Sequence, residues 1–175
     1  MTNDLTAQEV RQLLKLEPYA TCGFVRVTFI SKQRIAPGGL PPPFIDGRPA
    51  GSALYFMVTP DAPVRLHPIR NDQLYHRYLG DPIEVLMLHE NGTSERAIVG
   101  PDLRAGQCVQ LLIPGNTFHT ARVIPEGFRG WFLGASTEWP GVERVDVEIG
   151  DVEALAAKYP DVADDLRAFQ KGSGD

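Results

Sequence analysis

The feature that most constrains this chain is a series of short segments, rich in β-branched and aromatic residues, that recur at regular spacing between turn residues. The first covers residues 23–30, and turn sequences such as Glu90-Asn91-Gly92 separate later ones. Many short strands at such spacing are typical of an all-β sandwich or barrel, here with a core over about residues 23–149. The later strand candidates are residues 52–59, 64–69, 73–79, 83–89, 95–99, 108–113, 117–124, 128–137 and 144–149.

Short helices are predicted on both sides of this series. Thr6 and Glu9 have the spacing of a capping box, which satisfies free backbone N–H groups at the start of a helix. Asp151 is a suitable N-cap residue for the helical pattern near the C-terminus. The chain has 175 residues, which suits one hydrophobic core, so we expect a single domain over residues 1–175. The flanking helices are predicted within residues 6–16 and 151–170.

Composition argues against several kinds of partner. The net charge is −5 and the Lys and Arg residues form no run, so we expect no nucleic-acid binding. No apolar stretch approaches the ~20 residues that span a bilayer, so we expect no membrane insertion. The first residues lack the pattern of a secretory signal, and we therefore expect a cytoplasmic location. Cys22 and Cys108 form no CxxC pair and are interpreted as free, buried thiols.

One loop is too long and too rich in proline and glycine to be a simple turn. It covers residues 31–50. A loop of this length in a compact domain is often a lid or a binding loop, and an inert surface excursion is the other interpretation. The sequence leaves both open.

Residues 67–80, with the sequence HPIRNDQLYHRYLG, carry an unusual density of polar side chains in a region that otherwise has the pattern of strands. They include His67 and His76. Polar groups in a barrel interior need hydrogen-bond partners, so core packing alone does not explain this stretch. Imidazole titrates near neutrality, which makes the stretch the first candidate for proton-transfer chemistry.

Two groups of residues resemble the conserved motifs of the cupin superfamily. His67, Gln73 and Gly80 resemble the first motif, and Gly106 followed by residues 114–119 (PGNTFH) resembles the second. The resemblance implies a double-stranded β-helix, which is a jelly-roll-like barrel whose two motifs bring their side chains to the inner surface.

The likeness extends over about residues 16–160 and narrows to small single-domain cupins long labelled as a domain of unknown function. Their fold has been likened to sugar epimerases and seed storage proteins. Small cupins generally pair through their sheets, so the resemblance implies a homodimer. It does not determine an activity, because one fold hosts many reactions. The blocks that carry this likeness include Gly23-Phe24-Val25-Arg26, Ala53-Leu54-Tyr55-Phe56 and Tyr75-His76-Arg77-Tyr78.

The sequence departs from the cupin pattern at the metal-binding positions. Metal-binding cupins typically offer His-x-His, then Glu, then a histidine from the second motif. His67 and His119 match the first and last of these positions, but Ile69 and Gln73 replace a histidine and a glutamate. The resemblance implies either one divalent metal (iron, zinc or nickel) at His67, Gln73 and His119 or no cofactor, with both histidines hydrogen-bonded in a pocket.

Side-chain alternation along residues 73–79 decides which side chains share the interior. If Gln73 faces inward, Tyr75 and Arg77 do so too, and His76 faces outward in a regular strand. A β-bulge would turn His76 inward. The family pattern also has a histidine at this position, and we therefore favour the inward orientation.

The favoured hypothesis is an enzyme that converts a small polar metabolite by acid–base chemistry, as an isomerase or epimerase, a cyclase or a lyase. His76 or His119 is expected to take a proton next to a carbonyl or imine, and Tyr55 to return it. Arg26 is expected to hold an anionic group of the substrate. The other predicted substrate-binding residues are Tyr75, Tyr78 and Phe118.

Two alternatives remain open from the sequence. One is a metal-dependent cupin, either an iron dioxygenase or a zinc-assisted lyase. The other is a non-catalytic protein that binds or stores a small ligand in the barrel. No glycine-rich phosphate loop, nucleophile elbow or HExxH motif occurs, which weakens nucleotide-hydrolase, serine-hydrolase and zincin interpretations.

Overall fold

The computed structural model describes residues 5–125 and 127–170. The ends of the predicted domain, residues 1–4 and 171–175, and position 126 of a predicted turn lie outside the described residues. The helices are α1 (Ala7–Leu14), α2 (Val152–Lys158) and α3 (Ala163–Gln170). The strands are β1 (Glu17–Pro18), β2 (Phe24–Ile30), β3 (Arg34–Ile35), β4 (Arg48–Pro49), β5 (Ser52–Val58), β6 (Val64–His67), β7 (Asp72–Gly80), β8 (Ile83–Leu88), β9 (Ser94–Val99), β10 (Gln110–Ile113), β11 (Phe118–Val123) and β12 (Phe132–Trp139).

The strands form two facing antiparallel sheets and one small two-stranded sheet. The larger sheet has the order β1-β2-β5-β12-β7-β10, and the second has the order β6-β11-β8-β9. β3 pairs with β4 inside the long loop, residues 31–50. The chain passes repeatedly from one sheet to the other, which is the double-stranded β-helix, so the predicted all-β fold with short flanking helices is confirmed. No helix in residues 5–125 or 127–170 has the length and apolarity needed to cross a membrane.

The predicted strand over residues 144–149 is wrong. Residues Arg144–Asp146 form a 3₁₀ helix instead. The Asp146 carboxylate accepts a hydrogen bond from the backbone N–H of Glu143 at 2.9 Å, which is a local bond that favours a helical turn over a strand. The β-branched residues on both sides of Asp146 gave this segment the pattern of a strand. The buried Asp146 carboxylate favours the helical turn instead, because it bonds Arg48 and the backbone of Glu143.

The core between the sheets is built from the inward-facing residues of both. Phe56, Tyr75 and Phe132 of the larger sheet pack with Val85 and Met87 of the second sheet. Burial of each such side chain contributes about 1.5 to 3 kcal/mol relative to exposure. Because side chains alternate between the two faces of a strand, one face of each strand points into the shared core between the sheets.

β8 is apolar on both faces because both are covered. Its residues Val85 and Met87 enter the core between the sheets, whereas Leu86 and Leu88 pack under α2 and α3 with Leu166. A strand buried on two sides loses the polar alternation of a half-exposed strand, which explains the nearly continuous apolar sequence of β8. A third cluster packs α1 on the outer face of the larger sheet.

A buried ion pair joins the long loop to the segment that follows β12. The Arg48 and Asp146 side chains are 1% and 0% exposed. Arg48 donates from Nε to Oδ2 at 2.9 Å and from Nη2 to Oδ1 at 2.8 Å, which is a bidentate pair. Hydrogen bonding to Asp146 raises the pKa of Arg48 further above its ordinary value, so the guanidinium stays charged.

We expect Asp146→Asn to lower the free energy of unfolding by about 3 kcal/mol, because it removes the buried bidentate partner of Arg48 and leaves only the exposed Asp46 and the more distant Glu143 beside the charge. Urea denaturation monitored by circular dichroism measures this loss. Glu148→Gln, at an exposed position two residues away, is the matched control and should leave stability unchanged. A loss of less than about 1 kcal/mol in Asp146→Asn would show that the pair does not hold the loop in place.

Candidate active site

A cavity of about 510 Å³ lies between the two sheets, and residues of β2 form part of its lining. Its floor includes Phe56 and Tyr75, and Val142 and Val147 of the segment after β12 cover one side. A group of polar side chains lines the same space. These polar residues are Ser52, His67, Gln73, Ser136 and Glu138.

The pairing of β7 with β12 brings most of the polar group together. Gln73 lies opposite Glu138, and Tyr75 lies opposite Ser136. Facing residues of an antiparallel pair point to the same side of the sheet. All four are therefore on the inner face, and all four are buried.

Glu138 is the buried carboxyl group of the cavity lining, and the sequence analysis did not identify it. It is 2% exposed, and burial raises its pKa while the two serine hydrogen bonds partly lower it. Ser52 Oγ donates to Oε2 at 2.6 Å, and Ser136 Oγ bonds Oε1 at 2.5 Å. The predicted strand ended at residue 137, two residues before the end of β12 at Trp139. Alternation continued by two positions from Ser136 would have placed Glu138 inside.

Gln73 has a buried polar atom with no partner. Its side-chain oxygen forms no hydrogen bond with any of the described residues, and the residue is 3% exposed. A buried acceptor without a donor costs about 1 to 3 kcal/mol. An O–H or N–H donor on a bound molecule in the cavity would remove that cost.

His67 and His119 lie side by side on the neighbouring strands β6 and β11, with their rings tilted by 51°. They are register partners, and their ring centroids are 4.4 Å apart. His67 Nδ1 donates to the Arg65 carbonyl at 2.6 Å, and His119 Nδ1 donates to the Thr117 carbonyl at 3.2 Å. Because a carbonyl only accepts, each ring carries its proton on Nδ1 and has an acceptor at Nε2.

Burial keeps both imidazoles neutral. It lowers the pKa of His67 to about 4, and it lowers the pKa of His119 well below the ordinary value, with proximity to His67 as a second cause. The Tyr75 hydroxyl donates to His119 Nε2 at 3.1 Å. His119 is fully buried and does not line the cavity, whereas His67 does.

The predicted metal ligands do not fit a divalent metal. The Nε2 lone pair of His119 already accepts the Tyr75 hydroxyl, and Gln73 offers a neutral amide oxygen, which is a weaker donor than a carboxylate. In the part of the chain that the structure describes, no three His, Cys, Asp or Glu side chains could together hold an ion. Only His67 Nε2 and the side-chain oxygen of Gln73 remain free to bind a metal, and two neutral ligands are too few for a metal site.

Two of the predicted catalytic residues lie on the outer face of the larger sheet. His76 donates from Nε2 to Thr137 Oγ1 at 2.8 Å, and its Nδ1 accepts from Gln110 at 3.1 Å. The bulge between β7 and β12 lies beyond His76, toward Leu79, so it does not turn the imidazole inward. Tyr55 packs with the cluster under α1. Their predicted roles therefore do not agree with their positions.

Three of the predicted substrate-binding residues also lie outside the cavity. Arg26 is exposed, and its Nη1 donates to the Leu14 carbonyl at 3.2 Å. Tyr78 meets Tyr55 edge to face, with ring centroids 6.0 Å apart. Phe118 packs against the cluster under α2 and α3. Side-chain alternation explains each case. In each strand a residue next to Arg26, Tyr78 or Phe118 points inward, so these three side chains point outward.

The neutral state of His67 predicts a loss of stability in acid. The unfolded chain binds a proton at this residue below pH 6.5, whereas the folded chain does so only near pH 4. Stability is therefore complete above pH 6.5 and falls between these values by about 1.4 kcal/mol per pH unit for one group. Glu138, whose pKa is raised, acts in the opposite direction, so a variant is needed to isolate the effect.

We expect His67→Asn, whose amide can donate to the same carbonyl, to reduce the loss in unfolding free energy between pH 6.5 and 4.5 by about 2 kcal/mol. Chemical denaturation at a series of pH values measures this. His89→Asn changes a partly exposed histidine and serves as the control. Equal pH profiles for both variants and the unchanged protein would contradict a buried, neutral His67.

We expect Tyr75→Phe to lower the free energy of unfolding by about 1 to 3 kcal/mol, because His119 Nε2 then lies buried without a donor. Tyr78→Phe removes a hydroxyl from a half-exposed tyrosine and should cost little. Denaturation midpoints at pH 7 compare the two variants. A smaller loss for Tyr75→Phe than for Tyr78→Phe would mean that this hydrogen bond is not maintained in solution.

Several solved structures resemble this one. A hypothetical protein from Leishmania major is 23% identical, with a TM-score of 0.82, and the match covers 94% of this chain and 98% of that one. A protein from Shewanella oneidensis is 24% identical, with a TM-score of 0.81 and coverage of 97% and 99%. Oxalate decarboxylase from Bacillus subtilis is 14% identical, with a TM-score of 0.50 and coverage of 86% and 36%. At these identities the likeness shows the fold alone.

Sequence comparison decides the family. No curated protein matches this sequence. The family described as "Cupin superfamily (DUF985)" matches residues 8–150, which is most of the chain. The same residues contain both sheets and the cavity between them. The protein is therefore a member of the DUF985 family of the cupin superfamily.

Proposed function

We propose that this cupin is an enzyme that converts a small polar molecule by acid–base chemistry in the cavity between its sheets. The class of reaction is isomerisation, epimerisation, cyclisation or elimination, in which a proton leaves or joins carbon next to a carbonyl or imine. One observation carries the proposal, namely the buried carboxyl of Glu138 opposite the unpartnered amide oxygen of Gln73. Perturbed carboxyl groups in cavities are typical of catalytic acids and bases.

Glu138 is the group that moves the proton in this proposal. A general acid or base works best when its pKa approaches the working pH, and burial shifts the pKa of Glu138 in that direction. The hydroxyls of Ser52 and Ser136 contact one carboxyl oxygen each, so they fix its orientation. Both serines line the cavity and take part in holding the reacting group.

Gln73 and His67 bind and orient the substrate in this proposal. The amide oxygen of Gln73 accepts from a hydroxyl or N–H group of the substrate, which satisfies its missing hydrogen bond. Neutral His67 offers Nε2 as a second acceptor, since its Nδ1–H is held by the Arg65 carbonyl. His119 and Tyr75 act as positioning residues, because their mutual hydrogen bond fixes the wall behind His67.

The experiment is hydrogen exchange at carbon in D₂O. A panel of small hydroxy acids, keto acids and sugars is incubated with the protein, and ¹H NMR follows the loss of signal next to the carbonyl. We expect at least one compound to exchange with the unchanged protein. Glu138→Gln should slow that exchange by about 100-fold or more, because an amide cannot accept the proton.

Glu95→Gln is the matched control, since Glu95 is an exposed residue that pairs with His89 far from the cavity lining. Glu95→Gln should catalyse exchange in the substrate as fast as the unchanged protein does. Wild-type rates in Glu138→Gln would contradict the assigned role of Glu138. Binding without exchange across the whole panel would favour the non-catalytic alternative. Association as a homodimer stays a prediction.

A further inference from the structure

The cavity lining has two carboxyl groups, and both have partners within the protein. Glu143 lines the cavity, but its carboxylate pairs with Arg34 at 2.8 Å and lies 3.9 Å from Arg48. Glu138 is buried, and the hydroxyls of Ser52 and Ser136 bind its two carboxyl oxygens. Burial also raises the pKa of Glu138.

Arg144 is the exception among these charges. It lines the cavity and is exposed, and its guanidinium takes part in no hydrogen bond, ion pair or ring contact with the residues that the structure describes. Neutral His67 adds no charge. Among the described residues, Arg144 is therefore the charged side chain of the lining that has no partner, and it lies at the rim.

The position of Arg144 is built into the fold. It is the first residue of the 3₁₀ helix Arg144–Asp146, and Asp146 is held by the buried Arg48. The ion pair between Arg48 and Asp146 therefore fixes the main-chain position of Arg144. The Arg144 side chain can still move to contact a ligand.

The rest of the rim is apolar although it faces solvent. Val27, Ile30 and Ile149 are 56%, 55% and 50% exposed, and Tyr19 is 53% exposed. All four line the cavity. Exposed apolar side chains grouped around a cavity indicate contact with an apolar ligand surface.

We infer that the cavity selects a small, partly apolar carboxylic acid, whose carboxylate binds Arg144 at the rim and whose hydroxyl or N–H group reaches the Gln73 oxygen inside. This inference rests on the proposed function and names the class of its substrate. A guanidinium presents two parallel N–H groups that match a carboxylate, and one cation balances one carboxylate charge.

A pair of probes that differ in charge alone tests this inference. L-3-Phenyllactate and L-3-phenyllactamide share a phenyl group and a hydroxyl group, and only the first is an anion. Each is titrated into the whole chain and followed by protein NMR, at about 20 mM and about 200 mM NaCl. We expect the carboxylate to bind about tenfold more tightly than the amide at low salt, and the difference to shrink at high salt.

Arg144→Gln removes the charge and should make the two affinities equal within about twofold. Arg144→Lys should keep part of the preference, since it retains the charge without the paired N–H groups. Arg104→Gln is the matched control, because Arg104 is also an exposed residue of a 3₁₀ helix but does not line the cavity. It should keep the full preference.

The outcomes separate this inference from the proposed function. Equal binding of phenyllactate and phenyllactamide by the unchanged protein would overturn the inference and leave the ligand cavity intact. A carboxylate preference that survives in Arg144→Gln would overturn the assignment to Arg144. Failure of both probes to bind would count against the cavity as a ligand site, and thus against the proposed function itself.

Discussion

The register between β7 and β12 is the constraint on which the candidate site depends. It sets Gln73 against Glu138 and Tyr75 against Ser136 on one face of the sheet. Because side chains alternate with a period of two, a shift of β7 by one residue would move Gln73 and Tyr75 to the outer face, away from Glu138, and bring His76 inside. The inner face also packs Phe132 and Phe56 in the core, so hydrophobic burial enforces the same register that the polar site needs.

Burial then sets the protonation states on that face. Desolvation disfavours charge, so it lowers the pKa of His67 and His119, which are neutral near pH 7, and it raises the pKa of Glu138. This environment suits a proton transfer in which one carboxyl changes state, whereas a metal ion would find only His67 and Gln73 as free ligands among the predicted three. Ile69 and Gln73 stand where metal-binding cupins have a histidine and a glutamate. Their presence is consistent with a site that uses the Glu138 carboxyl instead of a metal.

The long loop contributes to the site from outside. Residues 31–50 do not cover the cavity as a lid, because none of them lines it. Their Arg48 instead holds Asp146, which supports the segment that forms one side of the cavity and carries Arg144. From the sequence, the loop could be a binding loop or an inert surface excursion. In the structure it has a structural role instead, because it supports a segment that lines the cavity without lining the cavity itself.

The sequence by itself determined the family, the all-β architecture and most strand positions, since these follow from local alternation, turn residues and motif spacing. It also indicated His67, Gln73 and Tyr75, which the structure places on the cavity wall. Only the tertiary structure decided that His76 and Arg26 face away from that wall and that Glu138 and Arg144 belong to it. The reason is physical. Alternation gives the two faces of a strand, but contacts between residues distant in the chain decide where each strand ends, where a bulge falls and which buried charge finds its partner.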